Sequence, residues 1–166
     1  MRKLYNTITM FTVLCFSTVF LFAQNINDGL VAYYPFNGDV IDFSGNGNDG
    51  LINGAQLGED RFGNPNASYL FDGLDDNIDI NSYANMSPME GVSISAWIKT
   101  TYSEGSPVIY ERLEAEMGFG LRLTEDGYLR LSINGGLQDV ISTEIITTDK
   151  WYHVAGTYDL VDGELK

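Results

Sequence analysis

Apolar and polar positions alternate along much of this chain, and no stretch keeps the spacing of an amphipathic helix. The clearest run is 92–100. Val92, Ile94, Ala96 and Ile98 share one face, while Ser93, Ser95, Trp97 and Lys99 share the other. Residues 117–124 repeat the rule, with Met117, Phe119, Leu121 and Leu123 opposite Gly118, Gly120, Arg122 and Thr124. Glu125, Asp126 and Gly127 supply a short turn, and 128–133 returns with Leu129, Leu131 and Ile133 on one face, so the two runs predict a hairpin. A further strand is predicted over 151–158, with Tyr152, Val154 and Tyr158 opposite Trp151, His153 and Ala155. Shorter strands are expected at 30–36, 69–71 and 78–80, and residues 46–50 form a turn-rich loop. Short alternating runs between Gly-, Asn- and Asp-rich turns predict an all-β sandwich or barrel. Asp162-Gly163 is a turn signal, and Glu164, Leu165 and Lys166 read as the start of another strand, so the sequence is expected to be a fragment of a longer protein.

The first 23 residues depart from this pattern. Arg2 and Lys3 precede an apolar run from Ile8 to Phe22, and Ala23 suits a cleavage position, so 1–23 reads as a secretory signal peptide and 24–166 as one exported domain. The run is shorter than the roughly 20 residues that span a bilayer. Cys15, within it, is the only cysteine, so the remaining chain has no disulfide and no thiolate nucleophile or thiolate metal ligand. Beyond the leader, seven basic residues stand against 23 acidic ones. That balance argues against nucleic acid and against anionic membrane surfaces, both of which need clustered Lys and Arg. It suits solubility outside the cell, and it supplies carboxylates that could hold calcium.

Five segments, in order, resemble the laminin-G-like, concanavalin-A-like jelly-roll domains of bacterial secreted and surface proteins. The first is Gly29-Leu30-Val31-Ala32-Tyr33-Tyr34-Pro35-Phe36-Asn37-Gly38, and the second is the loop Asp42-Phe43-Ser44-Gly45-Asn46-Gly47-Asn48-Asp49-Gly50. The third is Leu70-Phe71-Asp72-Gly73 through Ile78, and the fourth is Val92-Ser93-Ile94-Ser95-Ala96-Trp97-Ile98. The last is Trp151-Tyr152-His153-Val154-Ala155-Gly156-Thr157-Tyr158-Asp159. The resemblance implies a two-sheet antiparallel jelly-roll sandwich, incomplete at its C-terminus because the family's later strands are missing. Its members bind glycans or proteins or serve as spacers, so the resemblance leaves the ligand open.

Candidate sites follow from residue chemistry. The 42–50 loop offers Asp42, Asn46, Asn48 and Asp49 as oxygen ligands for a structural calcium, against the alternative of a plain turn in which Asp42 and Ser44 satisfy backbone groups. Asp72, Asp75, Asp76, Asn77 and Asp79 make a second acidic cluster, read first as a solvated turn. Glu114 and Glu116 would lie about 6.6 Å apart on a strand, yet Glu111 falls on the other face, so this is not the carboxylate pattern of a related glucanase. His153, the only histidine, is expected to pack within its strand. It has no Gly-x-Ser-x-Gly elbow to serve. Gly45-Asn46-Gly47 lacks the following helix that a phosphate loop requires. Tyr102, Tyr110 and Tyr128, near strand ends, are candidate sugar platforms, with packing as the competing role; Trp97 and Trp151 are assigned to packing. The expected function is therefore non-catalytic recognition outside the cell, of a glycan ahead of an extracellular protein. The alternative is a ligand-free spacer or protein-adhesion module within a larger adhesin or polysaccharide-degrading enzyme.

Overall fold

The computed structural model describes residues 27–80, 91–101, 108–111, 118–133, 138–159 and 164–165. The leader, Tyr102, Glu114 and Glu116 lie outside these residues. Within them the chain is all-β and its strands pair antiparallel, consistent with a jelly-roll sandwich. Four short strands come first: β1 (Gly50–Asn53), β2 (Gln56–Gly58), β3 (Ser68–Leu70) and β4 (Asn77–Ile80). β1 pairs with β4, and β2 with β3.

The central unit is two sheets packed face to face. One contains β5 (Gly91–Ile98), β10 (Tyr152–Asp159) and β11 (Glu164–Leu165) in the order β11-β10-β5. The other is a meander of β6 (Val108–Glu111), β7 (Phe119–Leu123), β8 (Tyr128–Ile133) and β9 (Gln138–Ile145). The chain thus leaves the first sheet after β5, builds the second, and returns as β10 beside β5. Burial drives that return. Phe119, Leu121, Leu123, Leu129, Leu131 and Ile133 line the inner face of the meander, and Val154 and Tyr158 meet them from β10. Val92, Ile94, Ala96 and Ile98 complete the facing layer from β5. Each buried side chain of this size contributes about 1.5–3 kcal/mol. Gly156 marks a close approach of the two sheets, since a Cβ there would sit 3.1 Å from Leu131 Cδ2 and 3.4 Å from Leu121 Cδ1.

The β7–β8 hairpin, β5 and β10 form where the alternation predicts them, and β10 pairs with β5 from Tyr152↔Ile98 to Asp159↔Gly91. The β7–β8 turn closes with Gly127 at φ 82° and hydrogen bonds from Thr124 N to Tyr128 O and from Gly127 N to Thr124 O. The strand expected at 30–36 does not form, and its backbone groups bond instead to the loop that follows. Tyr33 N–H donates to Asp42 Oδ1, and Phe43 N–H donates to Tyr33 O. The amide of Asn46 donates to Leu30 O and Val31 O, and that of Asn48 donates to Val31 O. Side chains of one loop take the place of a partner strand, which satisfies the backbone without a ladder.

Candidate functional site

The Asp42 loop is closed by its own hydrogen bonds. Asp42 is 6% exposed, and each of its carboxylate oxygens accepts two donors. Oδ1 takes the N–H groups of Tyr33 (2.9 Å) and Ser44 (2.8 Å). Oδ2 takes Ser44 Oγ–H (2.8 Å) and Asn48 N–H (3.0 Å). Burial opposes the charge on Asp42, but these donors outweigh it and hold its carboxyl below the ordinary value. Asp49 Oδ1 accepts from Asp42 N, and Asn46 turns its amide toward carbonyls. Asn48 is fully buried; its Oδ1 alone in this loop is buried without a hydrogen-bond partner, beside an open recess of about 290 Å³ bordered by Gly29, Leu30 and Val31.

The second acidic cluster draws together. Ligand oxygens of Asp72, Asp75 and Asp76 lie within 4.8 Å of one another and could hold a metal ion. The turn itself uses two of them. Asp72 Oδ1 accepts from Leu74 N, and Asp76 Oδ2 accepts from Asp72 N. The bond from Leu74, helped by other backbone donors, lowers the Asp72 pKa against the opposing effect of desolvation.

Two outward sheet faces remain. On the meander, Tyr128 and Arg130 alternate with the buried leucines and so face away from the core. Tyr128 is half-buried, Arg130 bonds to Asp139, and Arg122 stands opposite Arg130 in the ladder. Tyr110 lies on β6, opposite Leu121.

The outward face of β5 and β10 is richer in aromatic rings. Trp97 is 47% exposed rather than packed inside, and the register sets it directly across from His153. Their rings are 5.2 Å apart. His153 is exposed, so its ring meets Trp97 at a tilt on the surface instead of packing within the sheet. The Arg61 guanidinium, carried by the loop between β2 and β3, lies 4.5 Å from the Trp97 ring and 4.3 Å from the ring of Phe62, itself 73% exposed. Two positions beyond Trp97, Lys99 Nζ sits 5.4 Å from the ring of Trp151. Below them the same face continues with Ser95 and Ala155, then Ser93 and Thr157. The alternation had already grouped Trp97 with Ser93, Ser95 and Lys99, and that grouping was the signal for its exposure. Arg61 and Phe62 carried none, because only the tertiary fold brings that loop to β5.

A laminin-G-like family model described as the concanavalin A-like lectin/glucanases superfamily matches residues 71–166. No curated protein and no solved structure matches the chain.

Proposed function

Since the chain belongs to the concanavalin A-like lectin/glucanases superfamily, we propose that it is a non-catalytic carbohydrate-recognition module acting outside the cell, with the outward face of β5 and β10 as its platform. The observation that carries this reading is Trp97, a large ring left 47% exposed on a regular sheet face. An exposed indole can stack on the apolar face of a pyranose, and the hydroxyls of Ser93, Ser95 and Thr157 along the same face can meet sugar hydroxyls. The outward positions from Ser93 to Lys99 and from Trp151 to Thr157 hold no carboxylate, so the surroundings of Trp97 offer no acid and base pair for glycoside hydrolysis, and Asp159 lies three outward positions along β10 from His153. Export rests on the leader at 1–23.

We assign Asp42 a structural role. Calcium takes six to eight oxygen ligands, and the four internal donors on the Asp42 oxygens favour a self-closed loop over an ion held by Asp42, Asn46, Asn48 and Asp49. Asp72, Asp75 and Asp76, whose ligand oxygens converge, are the set we assign to any divalent cation.

A glycan array probed with the protein and with Trp97→Ala tests the platform. Recognition through Trp97 predicts binding to a subset of glycans and about a tenfold loss in the variant, or about 1.4 kcal/mol. An array silent to the folded protein, or binding untouched by Trp97→Ala, would reject the platform.

A further inference from the structure

Around Trp97 the charge is opposite to the charge on the molecule. The chain carries a formal net charge of −14, yet the outward positions flanking Trp97, from Ser93 to Lys99 and from Trp151 to Thr157, hold Lys99 and no carboxylate, and the β2–β3 loop adds Arg61, while Asp159 stands exposed at the far end of β10. Those cations are held by rings. Arg61 lies against Trp97 and Phe62, and Lys99 against Trp151. Neither makes a hydrogen-bonded ion pair among the described residues, whereas Arg130 on the other sheet is paired with Asp139. The carboxylate beside Arg61 in the chain, Asp60, is occupied by its own turn, accepting from Phe62 N, Asn64 N and Asn64 Nδ2. A guanidinium held over aromatic rings gives them none of its N–H hydrogen bonds, and its planar fork of donors matches a carboxylate or sulfate in bidentate fashion.

We infer that the saccharide taken by this face is anionic, carrying a uronate carboxylate or a sulfate. Its ring stacks on Trp97, Arg61 grips the acidic group in the plane of the guanidinium, and Lys99, two residues on from Trp97 just past the end of β5, meets the next charge of a polymer. This inference rests on the recognition reading above and adds the class of ligand.

The test measures affinity of the whole chain and its variants for four polymers: polygalacturonate, its fully methyl-esterified form, dextran sulfate and polyglutamate. The methyl ester keeps the sugar backbone and removes the charge. The inference predicts binding to polygalacturonate or dextran sulfate, the stronger of the two identifying carboxylate or sulfate as the preferred group. It further predicts at least tenfold weaker binding to the methyl ester and to polyglutamate. Arg61→Gln should cost about tenfold on the acidic polymer, and Arg61→Lys should recover only part of it. Equal affinity for the acid and its methyl ester, with Arg61→Gln silent and Trp97→Ala damaging, would overturn the anionic inference and leave sugar recognition standing. Polyglutamate bound as well as the acidic saccharides would show a bare charge site and overturn it too. Failure to bind any saccharide, by protein whose circular dichroism is that of a folded β-sheet, would remove the recognition reading itself.

Discussion

Asp42 and Trp97 show how one residue type can be read two ways until its neighbours are placed. A loop of Asp, Asn, Ser and Gly supplies oxygens in plenty, and composition alone cannot say whether N–H groups or a cation will meet them. The fold supplies N–H groups, from Tyr33, Ser44 and Asn48. Because these donors favour the charged form, the folded pKa of Asp42 lies below its ordinary value. The stability it contributes is therefore fully present above the unfolded carboxylate pKa of about 4, and it is lost as pH falls through the lower, folded value. Thermal melts between pH 7 and pH 2 should show Asp42→Asn losing less stability on acidification than the parent. At pH 7, Asp42→Ala should cost on the order of 2–3 kcal/mol, because donors in the loop lose their acceptor. For Trp97 the alternation pointed to the polar face, and the habit of burying a large ring argued for the core. The ring sits where the alternation placed it, and Arg61 and His153 supply the contacts that a core would otherwise give.

At the scale of elements, strands with clean alternation were legible, as were the short β3, β4 and β11, while β1, β2, β6 and β9 were not. β5, β7, β8 and β10 each bury one parity of side chains against the opposing sheet. β9 hides its pattern because Val140 packs on the core while its neighbour Ile141 stays 50% exposed, next to a register shift opposite Tyr128 and Arg130. The segment at 30–36 has strand composition, but its hydrogen bonds go to the side chains of a loop, an outcome no propensity encodes. Two glycines test the packing. Gly156→Val should cost about 1–3 kcal/mol by forcing β10 away from Leu131 and Leu121. Gly127→Ala should cost about 1 kcal/mol, since its φ of 82° disfavours a side chain and a Cβ would lie 3.1 Å from Ile145 Cγ2. Urea unfolding of each variant checks both values.

Across the whole molecule, the acidic surplus and the sandwich were readable from composition and patterning, while the site was not. Acidic residues form loop contacts at Asp42, Asp60 and Asp72, and the immediate surroundings of Trp97 are left to arginine, lysine and aromatic rings. Cation dependence should follow the same division. Any calcium-induced rise in the melting temperature should vanish in Asp75→Asn and persist in Asp42→Asn, because a ligand bound only to the folded state stabilises it. The central claim, that Trp97 is where a saccharide lands, is tested most directly by the indole N–H resonances of the two tryptophans, assigned with Trp97→Phe and followed while polygalacturonate oligomers are added. The Trp97 signal should shift first and saturate with the binding isotherm, with Trp151 following beside Lys99. A stationary Trp97 signal, while resonances elsewhere in the protein titrate, would place the ligand on another surface and contradict the account.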